Sequence, residues 1–529
     1  MGSPDEKSEG VISSEESGPV VEPPYTIFNR FERVLYAWVA SVAAFASPVS
    51  TGIYYPALTI LATALNTSLQ NINLSITTYM IFQAIAPTFV GGISDRYGRR
   101  PAYFMCFVIY IAANTGLALQ TSYVALLLLR MLQSSGSSGT ISLSNGVVAD
   151  VSTRSQRGKY IGIAALGSNL GPTLGPLIGG LLVHFQGWRA IFWFLDIYAV
   201  IMILTIAIFI PETCRNIVGN GGIPPQKWNR PLISLLRKQK DAPIATSTLS
   251  NKRRPSLIES LHIARSREAF CLILFSGLQS GGYFILLAGL PSQLETTFHF
   301  NSIQVGLCYI PMGAGILIAR QIVGRLIDYN FHRHATKLGI SIVKNRQTST
   351  DNFPVERARL EVGLPLAYLG CVTVIPYGWV MHLQHPPLPL ALFLLFCNAL
   401  SMSGSMQCLQ VLLVDCHPES PSSTSAAANL IRCILSAGGV ALVEPLLNGL
   451  GRGWTGVLIS AVWTSGSLLW WAVWFWGAGW RHAKEKKRRM QEETETTTTG
   501  TNNIEVAEAK NSRDAEEEEV EETEMVEEI

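Results

Sequence analysis

Charge is what this sequence has least of: Asp, Glu, Lys and Arg make up 15% of its 529 residues, against roughly 25% in an ordinary soluble domain. That scarcity argues against a solvated globule, and a formal net charge of +2 is too small to point to nucleic acid as a partner. The nine cysteines form no C-x-x-C pair and no zinc spacing. Cys106, Cys271, Cys397 and Cys433 fall inside apolar runs, where a thiol behaves as a small hydrophobe, so neither disulfide nor metal is indicated. Residues 1–24 are acidic and rich in Ser and Pro, with no basic segment leading into a short apolar core. No cleavable signal is expected there, and the first span must direct its own insertion. No phosphate-binding glycine loop appears, and no nucleophile, base and orienting group can be assembled from one aqueous face. An enzyme and a nucleotide-driven pump are both disfavoured, and no cofactor is implied.

What is present is apolar length: 48% of the residues are hydrophobic and the mean hydropathy is +0.26. A bilayer core about 30 Å thick needs about 20 apolar helical residues, and about twelve such windows recur. They lie near 34–56, 72–93, 102–120, 123–148, 158–183, 189–210, 269–291, 303–326, 363–382, 388–413, 424–448 and 455–478. The fourth and eleventh carry many Gly, Ser and Ala and rank lowest by hydropathy. Basic residues cluster at Arg96, Arg99 and Arg100, at Arg154, Arg157 and Lys159, within 215–267, within 333–359 and within 484–489, while the alternate connections hold little beyond Arg189 and Arg452. With the N-terminus inside, every cluster is cytoplasmic. The expected architecture is an all-α membrane protein: a disordered tail 1–32, a six-helix bundle 33–210, a cytoplasmic linker 211–268, a second six-helix bundle 269–480, and a basic then acidic tail 481–529, with both termini cytoplasmic. Asn66, in "NTS" between the first two spans, is an external glycosylation candidate.

The halves repeat. "VGGISD" at 90–95 matches "VGRLID" at 323–328, setting Asp95 opposite Asp328; Gly139 and Asp150 correspond to Gly404 and Asp415; "PLIGG" at 176–180 echoes "PLLNG" at 445–449. Two halves in parallel repeat suggest a transporter with its substrate site between them.

Four charged side chains interrupt the apolar sequence at "GGISDRYGRR". The stretch resembles the G-x-x-x-D-R-x-G-R-R/K signature of the major facilitator superfamily, matched by Gly91, Asp95, Arg96, Gly98, Arg99 and Arg100. The glycines suit a tight turn, and a carboxylate is favoured at a helix N-terminus, for which the start of span eleven, residues 421–427, is a candidate. The resemblance implies a conformational latch; anchoring of the loop in headgroups is the plainer alternative. On span five, Gly167, Gly171, Gly175 and Gly179 share one face with Pro172, Pro176 and Gly180. Small residues at this spacing allow backbone-to-backbone helix packing. The segment is similar to the G-x-x-x-G-P-x-x-G-G signature of the superfamily's antiporters, which implies export.

Arg130 stands in "LLLLRMLQSSGSSGT". A guanidinium in an apolar span costs at least about 2.5 kcal/mol, so a cavity-facing position is expected, with snorkelling to the surface as the alternative. With Gln133 it resembles the R-x-x-Q-G signature in which the arginine is associated with proton coupling; Ser134 replaces the final glycine and Gly136 follows. The equivalent position in the second half is Leu395. Asn169, Gln279, Tyr283, Asn398, Asn429 and Arg432 are candidates to line a cavity, with Asn114, Asp196, Arg320 and Glu444 as further intramembrane polar groups.

With "GWRAIFWFLDI", "PETCRNIVGNG" and "AAANLIRCILSAGG", these motifs resemble the fungal twelve-span drug:proton antiporters, the branch of quinidine-type multidrug exporters and related organic-acid and polyamine exporters. The resemblance covers about residues 30 to 482. It implies a multi-pass protein of the plasma or vacuolar membrane that acts as a monomer and exchanges a small-molecule substrate (a drug, a toxin or an organic metabolite) for protons. A dedicated metabolite exporter and a non-transporting membrane sensor are the rival functions.

Overall fold

The computed structural model describes residues 26–152, 157–226, 229–230, 265–339, 353–417, 421–483 and 490, and among them there is no strand. The first half holds α1 (Arg30–Ala64), interrupted near Phe45 and Tyr54, α2 (Leu69–Tyr97), α3 (Arg99–Leu119), α4 (Tyr123–Val151), α5 (Arg157–Gln186) and α6 (Arg189–Phe209). The second holds α7 (Arg267–Phe298), α8 (Ser302–Lys337), α9 (Val355–Val380), α10 (Leu388–Cys416), α11 (Pro421–Ala441, continued by Val443–Gly449) and α12 (Gly451–Ala483). The expected tails and most of the expected linker, residues 231–264, lie outside the described residues, as do Arg154 and the basic run 484–489.

Ten of these helices are long and apolar enough to cross a membrane. The exceptions are the two that hydropathy ranks lowest. α11 passes only as a bent pair, Thr424–Ala441 with Val443–Gly449 at 41°, and α4, 29 residues long, is diluted by its Ser and Gly run. Those small residues are spent on packing. A Cβ on Gly136 would lie 2.7 Å from Cys106 O and Tyr110 N of α3, and one on Gly139 would lie 2.7 Å from Val90 of α2. Close backbone approach is what holds helices together in lipid, where apolar side chains gain little from each other's company.

Local signals set several helix ends. Ser68 caps α2 by accepting from Asn71 N at 3.2 Å, and Asn301 with Gln304 forms a capping box at α8. α9 starts two turns before the apolar window, because Glu356 and Arg359 are held in the helix by Arg481 at 2.8 Å and Asp415 at 3.0 Å. Large side chains fill the interior, among them Tyr54, Tyr79, Tyr110 and Phe192 in the first half and Phe275, Trp463 and Trp470 in the second. Mid-helix positions such as Val108, Ile197, Val372 and Leu468 instead face outward, at 58%, 61%, 67% and 66% exposure. An apolar exterior over a partly polar interior is an arrangement for lipid.

In the first half α4 packs on α1, α2 and α3, and in the second α10 packs on α8 and α9 while α7 packs on α11. Across the seam between halves, α1 meets α7, α2 meets α11, and α5 meets α8. The end of the bundle carrying Arg30, Arg99, Lys337 and Arg481 is called the basic end below.

Candidate functional site

At the basic end the chain turns from α2 into α3 at Gly98, whose φ is +112°. A Cβ here would fall 2.2 Å from Glu212 Oε2, so glycine is required for both conformation and space. Glu212, 2% exposed, accepts from Arg99 N at 2.8 Å, Arg100 N at 3.3 Å, Thr213 N at 3.0 Å, Cys214 N at 2.9 Å and Asn229 Nδ2 at 2.9 Å. It is the anion at the α3 N-terminus, satisfying otherwise unpaired N–H groups. Asp95 takes a different partner: Arg99 Nη1, at 2.6 Å. Arg99 Nε also reaches Asp150 Oδ2 at the end of α4, at 2.9 Å, and Arg100 donates to Ala207 O at 3.1 Å. The loop signature therefore draws Asp95, Gly98, Arg99 and Arg100 into one network with α4 and the segment after α6. Arg96 is exposed over the ring of Tyr97, and Gly91 has open space where a Cβ would stand. The segment expected to face Asp95, residues 421–427, forms the first turns of α11, and among the described residues the ion pair of Asp95 is with Arg99.

The α5 glycines pack as their spacing demands. Cβ atoms on Gly167, Gly171 and Gly179 would meet Ser41 O at 1.8 Å, Pro48 Cβ at 2.6 Å and Ile53 O at 2.2 Å, and one on Gly175 would meet Ile53 N at 2.9 Å, all on α1. Gly180 turns to the other half, where a Cβ would lie 2.4 Å from Ser302 O of α8, and Gly306 of α8 approaches Pro176 O. One helix thus fits tightly against its own half and against the opposite one, at the end remote from the basic end. Tyr55 stacks on Tyr309 and Thr59 donates to Glu295 Oε1 at that same end.

Arg130 is fully buried at the centre of the first half. Its guanidinium carbon lies 4.1 Å from the ring centroid of Tyr54 and 4.5 Å from that of Tyr79, a cation held between two aromatic faces. Nη1 donates to Gln133 Oε1 at 2.6 Å and to Ser50 O at 3.4 Å. Gln133 Nε2 donates to Asn114 Oδ1 at 2.5 Å, Asn114 Nδ2 to Tyr110 O at 2.9 Å, and the Tyr110 hydroxyl shares a hydrogen bond with Ser50 Oγ. Nε and Nη2 have no partner, and no carboxylate pairs with this arginine among the described residues. Snorkelling is excluded by the burial. The expected cavity-facing position also gives way to an enclosed one, because the aromatic rings and the Gln133–Asn114 chain close around the charge. Tyr79, Tyr110 and Ser50 escape a reading by motif, since each is an ordinary core residue until the fold sets it beside the guanidinium.

The second half is built differently. Leu395, fully buried, stands where the repeat sets Arg130. Gln279 accepts from Ser405 Oγ at 2.8 Å, and Asn398 reaches Gly370 O and Thr373 Oγ1 at 3.4 and 3.5 Å, so both act inside this half. Tyr283 is buried, at 7% exposure, and Asn169 half-buried. Asn429 and Arg432 lie at the seam: Arg432 Nη2 donates to Asn429 Oδ1 at 2.5 Å, and Asn429 Nδ2 reaches Gln83 O of α2 at 3.5 Å. Glu268, Glu356 and Cys416 gather within 4.8 Å near the basic end, but the fork of Arg481 already spans both oxygens of Glu356 at 2.8 and 3.3 Å. Asn66 is exposed in the α1–α2 turn with φ +50°, remote from the basic end.

With this geometry in place, comparison with known proteins is informative. The family model described as Major Facilitator Superfamily matches residues 40–440. The chain is 41% identical over 485 residues to the MFS-type transporter tstD of Talaromyces stipitatus, covering 89% of this chain and 87% of that one. It is 32% identical over 483 residues to Citrate exporter 1 of Aspergillus niger, covering 88% and 90%. Among solved structures a D-xylose-proton symporter superposes with a TM-score of 0.61 at 16% identity, covering 83% of this chain and 97% of that one, a likeness of fold.

Proposed function

The chain belongs to the Major Facilitator Superfamily and is a membrane transporter rather than an enzyme; from that premise we propose that it is a proton-coupled antiporter exporting small organic molecules by alternating access. In this reading α4 and α11 complete twelve spans, both termini and the basic end are cytoplasmic, and the protein works as a monomer in the plasma membrane. The observation that carries it is Arg130: a permanently charged group enclosed in the first half, with two nitrogens unpartnered and no counter-ion among the described residues.

A guanidinium does not release its proton at physiological pH. Its part in coupling is therefore to set the field felt by a titrating site or by the substrate, holding that site's proton loosely while the two are close and tightly once a conformational change parts them. The contacts across the seam supply the moving joint. Tyr55 on Tyr309, Thr59 on Glu295 and the Gly180–Ser302 approach close the external end, and opening that end means parting them. Asp95, half-exposed beside Arg99, serves as the latch that the start of α11 engages when the cytoplasmic end closes.

A second reading, a dedicated organic-acid exporter, is favoured by the relative named for citrate export. The coupling test is substrate uptake into inside-out vesicles with an acid interior. Arg130→Ala is expected to abolish gradient-driven uptake at normal abundance, and Arg130→Lys to retain part of it, since it keeps the charge but loses the planar fork. Uptake by the alanine variant equal to wild type would remove Arg130 from the mechanism.

A further inference from the structure

Six helices meet across the seam: α1, α2 and α5 from one half, α7, α8 and α11 from the other. Their described carboxylates are Glu32, Asp95, Glu268, Glu295, Asp328 and Glu444, and all lie toward the helix ends. Glu32 and Glu268 open α1 and α7; Asp95, Glu295 and Asp328 fall in the closing parts of α2, α7 and α8; Glu444 lies in the short continuation of α11. Midway along α8 and α11 stand two cations instead, Arg320 and Arg432.

Neither arginine is neutralised. Arg320 Nε is buried without a partner, and its guanidinium makes no hydrogen bond or ion pair among the described residues. Arg432 has neutral partners alone among the described residues: the amide oxygen of Asn429, through which it is tied to α2, and the Cys433 thiol. Both stand at mid-depth on helices that line the seam, α8 against α5 and α11 against α2. Gln407 of α10 donates to Arg320 O at 3.4 Å. Two like charges without a carboxylate partner at one depth of a low-dielectric seam are costly, and each lacks part of the hydrogen bonding it would have in water. Bound anionic oxygens would relieve both deficits, and a guanidinium fork matches the geometry of a carboxylate or phosphate. Among the described residues of these helices a cation would find no carboxylate at this depth.

We propose that the seam between the halves takes an organic polyanion, a substrate with at least two carboxylate or phosphate groups that bridges Arg320 and Arg432, and that polyamines and lipophilic cations are not substrates. This rests on the reading of the protein as a transporter with its site between the halves and names the substrate class of that site. Arg130 takes no part in holding the anion, because the tyrosine cage encloses it within the first half.

The test uses the full-length protein purified in detergent, with its unfolding temperature followed against citrate, succinate, acetate, inorganic phosphate and spermidine, and uptake of the stabilising anion followed in vesicles. Citrate or succinate is expected to stabilise the protein at concentrations where acetate does not. Arg320→Gln and Arg432→Gln should each weaken the apparent affinity about tenfold or more, while Arg432→Lys loses less and Arg325→Gln, exposed near the basic end, loses nothing. A stronger response to phosphate than to the carboxylates supports the polyanion site and identifies phosphate esters as its substrates. Stabilisation by spermidine, no response to any of the anions, or wild-type responses from both glutamine variants would overturn the proposal; gel filtration of each variant keeps misfolding separate from lost binding. Anion binding without uptake of any compound would instead refute the transport reading and leave the site intact.

Discussion

In the first half Arg99 ties the start of α3 to Asp150 at the end of α4 at 2.9 Å; in the second Arg359 ties the start of α9 to Asp415 at the end of α10 at 3.0 Å. The same joint is made twice, between equivalent helices, by the same residue types. The centres of the halves share nothing of the kind. Where the first encloses Arg130 between Tyr54 and Tyr79 with a chain of amides behind it, the second packs Leu395. A repeat can keep the contacts that fasten helix ends, which each bundle needs for its own stability, while charge is retained at one centre only. A buried charge is costly wherever it stands, so its presence at one centre marks a task that the other centre does not share.

Exchanging the two centres gives the largest expected effect. Arg130→Leu should reduce gradient-driven transport by on the order of 100-fold, from the lost charge-assisted hydrogen bonds and ring contacts. The reciprocal Leu395→Arg inserts a cation with no prepared partners, at a cost of at least about 2.5 kcal/mol, and should fail to give a monodisperse peak in fluorescence-detected gel filtration. Normal folding of Leu395→Arg would mean that the second centre tolerates charge as well as the first, and the contrast would fail. Gly179→Ala comes next. Its methyl would stand 2.2 Å from the backbone oxygen of Ile53, and overpacking that only a backbone shift can relieve should cost about 3 kcal/mol, seen as a lower unfolding temperature.

The clamp at Glu212 sharpens the comparison, because it holds the α3 start and has no part in holding the α9 start. Glu212→Ala should destabilise by about 2 kcal/mol and raise hydrogen exchange at residues 99–103 with no change at the start of α9, while Glu212→Gln keeps part of the protection. Equal loosening of both helix starts would show that the joints are coupled. Asp150→Asn and Asp415→Asn, each read as a shift in unfolding temperature, should cost similar amounts, about 2 kcal/mol from the lost charge-assisted hydrogen bond; a clear inequality would break the equivalence of the two joints. The smallest effect belongs to Gly162→Ala. Nothing lies within 4 Å of its added methyl, so stability should stay within about 0.5 kcal/mol of wild type.

Much of the site was legible in part. The spacing of Gly167, Gly171 and Gly179 announces a packing face, since a helix brings every fourth residue to nearly the same side, but Gly180 reaching α8 across the seam is a fact of how the halves sit together. Asp150 and Asp415 were matched by the repeat, whereas their partners Arg99 and Arg359 were not, because only the fold pairs α3 with α4 and α9 with α10. Glu212 left a faint signal, a carboxylate just after an apolar run in "PET"; its role at a helix start more than a hundred positions earlier depends on a contact that no local pattern encodes.

The sequence by itself determined that the chain is helical, apolar on its outer faces, duplicated and basic at one end. Each of these follows from properties summed over neighbours in the chain: hydropathy over the thickness of a bilayer, the helical period, the distribution of Lys and Arg. Only the tertiary structure decided that Arg130 is caged between aromatic rings while Arg320 keeps a buried nitrogen without a partner and Arg432 is tied to Asn429. All three are arginines in apolar spans, alike to hydropathy although Arg130 alone carries a motif resemblance. What separates them is which side chains distant parts of the chain bring within a few ångströms, and electrostatic energy in a low-dielectric interior is set by those distances.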